Sequence, residues 1–89
     1  MQITEIKIRK LLDTGRLRAV VSVTFDGVFA VHDIKVVQGE ERLFVAMPSR
    51  REPDGTFRDV VHPINSQFRQ LTENAVLDEY LSAVGEKSS

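Results

Sequence analysis

The chain has 89 residues, twelve Lys and Arg against thirteen Asp and Glu, and a formal net charge of −1, which excludes a surface that coats nucleic acid through overall basicity. It has no cysteine, so neither disulfides nor thiolate metal sites hold it together. No apolar run approaches the roughly 20 residues of a membrane-spanning helix, and the N-terminal MQITEIKIRK alternates charged and apolar residues unlike a signal peptide; the expected location is the cytoplasm.

A chain this short makes one small domain, expected over residues 1–85 with a flexible tail at 86–89, and its core is thin enough that association would help it. In chain order, Ile6-Lys7-Ile8-Arg9 alternates apolar and basic residues as a strand with one dry face does. Asp13-Thr14-Gly15 is a turn. Arg16 to Phe25 carries the clearest period-two pattern, with Leu17, Ala19, Val21, Val23 and Phe25 on one face and Arg16, Arg18, Val20, Ser22 and Thr24 on the other. Asp26-Gly27 is a strong hairpin signal, and Val28 to Val37 is the returning strand. Its alternation puts Ala30, His32, Ile34 and Val36 on one face and Phe29, Val31 and Asp33 on the other. Apolar residues of both parities there suggest a central strand or one covered by another subunit. One helix covers only part of one sheet face, so either the other face is polar or a second chain covers it; the mixed parity favours the second chain and hence a homodimer.

Gln38-Gly39-Glu40-Glu41 is a polar turn, and Leu43 to Met47 is an apolar strand that Pro48 ends, since proline cannot donate to a ladder. A charged loop with Arg50 and Arg51 at its tip and the turn tripeptide Pro53-Asp54-Gly55 leads to a strand from Phe57 to Val61. After Pro63, Asn65 or Ser66 caps a helix whose apolar positions are Phe68, Leu71, Ala75, Leu77, Tyr80, Leu81 and Val84, with Gly85 as its stop. The expected fold is α+β: an antiparallel sheet of about five strands followed by one C-terminal amphipathic helix.

Charge is unevenly spread. Met1 to Val37 holds six basic and four acidic residues, Arg42 to Arg69 five arginines and three acids, and Gln70 to Ser89 four acids and one lysine. A polyanion site is therefore a local patch of sheet and loop, with the helix as acidic counterweight. Arg50 and Arg51 are its leading candidates, since clustered guanidinium groups suit phosphate and a loop gives them reach. Arg58 flanks them. Arg9, Arg16 and Arg18 on the polar strand faces, and Arg69 in the first helical turn, are possible extensions; a solvated face is the ordinary role of such residues. Phe29, Phe44, Phe57 and Phe68 are candidates for stacking on bases, although most are core by pattern.

His32-Asp33 and Asp59 with His62 suggest a general base, but adjacent strand residues point to opposite faces, so Asp33 is badly placed to orient His32. Ser49 and Ser66 sit in no nucleophile elbow, and the histidines lack metal-ligand spacing. Neither catalysis nor a cofactor is expected.

The segment Val31-His32-Asp33-Ile34-Lys35-Val36, the run LFVAMPSRREPDGTFRDVVHPI from Leu43 to Ile64, and GRLRAVVSVT at the second strand resemble the SpoVG family (stage V sporulation protein G, a septation regulator). The likeness extends from Met1 to about Leu81. The resemblance implies a small bacterial cytoplasmic α+β protein that dimerises, binds DNA and RNA, and modulates gene expression, septation and sporulation. It also implies a nucleic-acid role for the basic pair after Met-Pro-Ser, here Arg50 and Arg51; the first is often lysine in the family, a change of geometry at equal charge. The alternative is a protein-interaction module acting on division or regulatory partners without touching nucleic acid.

Overall fold

The computed structural model describes residues 1–85; the expected tail at 86–89 lies outside the described residues. Strands β1 (Ile3–Leu11), β2 (Leu17–Phe25), β3 (Phe29–Gln38) and β4 (Leu43–Ala46) form a four-stranded antiparallel sheet in sequence order. Strands β5 (Ser49–Arg51) and β6 (Phe57–Asp59) pair as a separate two-stranded ribbon, and one helix, α1 (Ser66–Gly85), follows. The fold is the expected α+β, with a short strand, β5, where the sequence reads as loop.

The turn between β2 and β3 forms because Asp26 and Gly27 both take positive φ, 55° and 69°, as the right-handed twist of a tight hairpin demands. The Val28 N–H donates to the Phe25 carbonyl at 3.0 Å. β1 clips this turn from outside: the Gln2 N–H donates to the Asp26 carboxylate, and the Gly27 N–H to the Thr4 hydroxyl, at 2.8 and 2.9 Å.

Ala19, Val21, Val23 and Phe25 of β2 face the core with Val31, Ile34 and Val36 of β3, Val45 of β4, and Met47. β3 therefore departs from simple alternation, because Val31 and Ile34 share a face. The cause is a bulge. Val23 pairs with Val31 and Val21 with Ile34, so Ser22 is opposed by both His32 and Asp33. Asp33 sits at a φ of 66°, left-handed backbone that an Asp tolerates better than most residues. Val31, Ile34 and Val36, apolar residues of both parities from the run on which the sequence argument for a second chain rested, are thus brought to one face within a single chain, while Ala30 and Val37 stay on the other.

The helix crosses that face. Asn65 is its cap, accepting from the Phe68 N–H at 2.8 Å. Its dry stripe runs through Phe68, Thr72, Val76, Tyr80 and Val84, with the Phe68 ring 5.7 Å from that of Phe25. This is a rotation from the stripe read in sequence, since Leu71 and Leu81 lie exposed and Thr72 and Val76 are buried. A one-in-four spacing that includes a threonine was hidden by the more apolar leucines beside it.

The left-handed backbone at Asp33 gives a test. Asp33→Gly should leave thermal stability unchanged or raised, whereas Asp33→Val should cost about 1–2 kcal/mol, because a β-branched side chain clashes there. Equal melting temperatures for the two variants would remove the bulge from this account.

Candidate nucleic-acid interface

The ribbon is built by its turn. The Gly55 N–H donates to the Glu52 carbonyl at 2.9 Å, Pro53 presets φ inside the turn, and Gly55 takes the φ of 92° that closes it. The Glu52 N–H then donates to the Thr56 carbonyl at 2.7 Å. Asp54 locks the return: its carboxylate accepts from the Thr56 hydroxyl at 2.7 Å and from the Thr56 N–H at 3.0 Å. These two bonds, the hydroxyl's foremost, hold the Asp54 carboxyl below the usual carboxylate range. At the base, the Val60 N–H donates to the Pro48 carbonyl at 2.8 Å.

Arg50 and Arg51 are therefore not at a tip. The tip is Pro53-Asp54-Gly55, and the arginines lie on β5, fully paired. The register sets Arg50 opposite Arg58 and Arg51 opposite Phe57. Strand alternation sends Arg50 and Arg51 to opposite faces, so the consecutive pair read in sequence is split. The pair the structure makes is Arg50 with Arg58. Directly opposed residues of an antiparallel ribbon have Cβ atoms about 5 Å apart, and like charges placed so destabilise the pairing. All three arginines are exposed, and none is in a salt bridge among the described residues, where Arg69 with Glu73 at 3.7 Å forms the one such pair. Phe57, 71% exposed, accompanies Arg51 on the second ribbon face.

The other candidate arginines lie elsewhere. A register shift between Leu17 and Ala19 turns Arg18 to the helix side, where its Nε donates to the Tyr80 hydroxyl at 3.5 Å and its Nη1 to the Gly15 carbonyl at 3.2 Å. Arg18 thus does not sit on the polar face where alternation placed it. Arg16 donates to the Gln38 carbonyl at 3.3 Å, at the end of the sheet where β4 begins, away from the hand-over to β5. Arg69 is half-buried and engaged by Glu73. Arg9 lies on β1, across the full width of the sheet from β4. Of the seven arginines considered, the structure brings together Arg50, Arg51 and Arg58.

Ser22 and His32 are hydrogen-bonded at 2.8 Å, Oγ to Nδ1, a contact the sequence reading did not foresee because it crosses strands at the bulge. No carboxylate hydrogen-bonds His32 among the described residues, so a base with an orienting acid is not assembled there. His62 donates from Nδ1 to the Pro63 carbonyl at 3.1 Å. Among the described residues, no three His, Asp or Glu side chains converge as a metal site would need.

The turn makes a prediction about pH. A lowered folded-state value means that Asp54 contributes stability fully present above the ordinary aspartate pKa of about 3.9, and lost as pH falls through the lower folded value. Thr56→Val removes the principal donor, so the Asp54 carboxyl, followed by NMR, should titrate at higher pH than in the parent chain. An unmoved titration would contradict the Thr56 contact.

The profile of the SpoVG family matches residues 1–82. A SpoVG protein of Caldanaerobacter subterraneus subsp. tengcongensis, named for septation, is 57% identical over 83 residues, covering 93% of this chain and 91% of that protein. Its counterpart from Desulforudis audaxviator is 58% identical over 80 residues, with 90% and 91% covered. That from Clostridium acetobutylicum is 51% identical over 89 residues, with 100% and 94% covered. A profile spanning almost the whole described structure, and relatives matched nearly end to end, place this chain in the SpoVG family.

Proposed function

We propose that this chain is a homodimeric, cytoplasmic nucleic-acid-binding regulator whose β5–β6 ribbon grips phosphates through Arg50 and Arg58. The observation that carries the reading is the cross-strand Arg50–Arg58 pair, exposed and without a carboxylate partner among the described residues. Two guanidinium groups held side by side repel one another until an anion bridges them, and phosphate is the anion whose oxygens match their fork. A two-stranded ribbon is also one of the two elements that fit a B-DNA major groove about 12 Å wide. Glu52 and Asp54 at the tip weaken the field, so one ribbon binds modestly and two on a dimer gain by avidity. The relatives' names tie them to septation, and regulation of that process is the role we assign to nucleic-acid binding here.

The dimer has a candidate surface. Phe29, Val61 and Ile64 lie exposed, Ile64 at 95%, around an apolar groove of about 340 Å³ between the helix N-terminus and the core face of β3. Thr72 lines the groove, and its buried hydroxyl finds no hydrogen-bond partner among the described residues. We assign this groove to a second copy of the chain. Sedimentation should give a dimer for the parent and a folded monomer for Phe29→Asp/Ile64→Asp; a monomeric parent, or a variant that stays dimeric, would refute the assignment. A partner protein that binds the parent but displaces no second copy would favour the interaction-module reading.

Salt dependence tests the ribbon. Arg50 and Arg58 from two subunits neutralise about four phosphates, so log affinity for duplex DNA should fall against log salt with a slope of roughly −3 to −4. Arg50→Ala/Arg58→Ala should remove most of that slope, and Arg51→Ala a smaller part. A slope unchanged in the double variant sinks the assignment.

A further inference from the structure

The face of the four-stranded sheet turned away from the helix has its own charge pattern. The register sets Lys10 opposite Val20 and Val20 opposite Lys35, in one row across β1, β2 and β3. The adjacent row sets Lys7 opposite Ser22, which is hydrogen-bonded to His32. A register shift between Ile8 and Lys10 frees Arg9 from strict alternation, and it lines a depression of about 370 Å³ with Val20, Ser22, His32 and Asp33. Val20 and Ser22 alternate with the buried Val21 and Val23, which fixes this as the helix-free face.

Lys7, Arg9, Lys10 and Lys35 thus share one face with two carboxylates, Glu5 and Asp33, and none of the four cations is in a salt bridge among the described residues. This is a net positive surface on a chain whose total charge is −1. Beside it, in the next row, Val37 opposes Phe44, an aromatic ring 42% exposed. The Phe44 ring lies over Gly39, where a Cβ would come within 3.3 Å of it.

We propose that this face binds single-stranded nucleic acid, with Lys7, Arg9, Lys10 and Lys35 on phosphates and Phe44 stacking on a base, separately from the ribbon. The proposal rests on the nucleic-acid reading above and assigns a second form of ligand to a second surface. Width decides the form. Four strands at about 4.8 Å spacing span roughly 14 Å, too broad for a duplex groove of about 12 Å, whereas an extended strand with splayed bases lies across such a sheet. Unpaired cations interleaved with an exposed ring are the combination that holds a strand without reading its sequence.

The test is fluorescence anisotropy of the full chain with a labelled oligothymidine and with a duplex of equal length. Lys7→Ala/Lys10→Ala/Lys35→Ala should weaken single-strand binding at least about tenfold and flatten its salt slope by about 2, while leaving duplex affinity close to the parent's. Phe44→Ala should weaken single-strand binding at an unchanged slope. Should the triple variant fold poorly, Lys7→Gln/Lys10→Gln, confined to two exposed positions of β1, should still flatten the slope by more than about 1. Arg50→Ala/Arg58→Ala should do the converse, losing duplex and keeping oligothymidine. A lysine variant that binds oligothymidine like the parent overturns the proposal. A parent chain that binds duplex but no oligothymidine overturns it alone, and one that binds neither overturns the ribbon reading as well.

Discussion

β2 and β3 present one continuous apolar face only because Ser22 is opposed by two residues instead of one. Without the extra residue at His32–Asp33, either Val31 or the pair Ile34 and Val36 would face solvent, and the helix would have half a floor. The bulge costs left-handed backbone at Asp33 and leaves His32 on the outer face, where Ser22 takes up its Nδ1. In return, a chain with no cysteine gathers nine buried apolar side chains beneath a single helix that adds Val76 and Tyr80 to the same cluster. The same irregularity shapes the helix-free side, since the depression beside Arg9 opens at the bulge.

Pro48 separates packing from presentation. Met47 before it is buried, and Ser49 after it begins a ribbon whose six paired residues are all exposed. Lacking an N–H, Pro48 cannot extend the β4 ladder, but its carbonyl takes the Val60 N–H and pins the ribbon's base. The ribbon is therefore positioned by backbone, and its arginines are spaced by strand geometry. Sheet and ribbon offer cations in two shapes, a broad floor and a narrow finger.

How far the sequence could be read follows from the same features. Turns announced themselves: Asp26-Gly27 and Pro53-Asp54-Gly55 carry their backbone geometry in their residue types, and the structure places both as read. The period-two face of β2 was equally plain from Ala19 to Phe25. Bulges were not, because an inserted residue has no compositional mark; its trace was the mixed parity of Val28 to Val37, which a covering partner would explain as well. The shift beside Leu17 likewise moved Arg18 to Tyr80 unseen. β5 was missed because Ser-Arg-Arg has no apolar pattern and is a strand only by pairing with β6. For the helix, leucines drew attention from Thr72, which reaches the core through spacing and not through hydrophobicity. The site inherited these errors: Arg50 and Arg51 are neighbours in the chain but lie on opposite faces of the ribbon.

The ribbon's residues lend nothing to the core, and that has a consequence for how such a protein changes over time. Substitutions at positions 50, 51, 57 and 58 leave the packed face of the sheet untouched, so the fold exerts almost no selection on them. Binding preference is then free to drift or be retuned at little cost in stability, while the turn and Pro48 keep whatever side chains arrive there in the same places. Any restraint on the arginines must come from outside the chain, from what they touch.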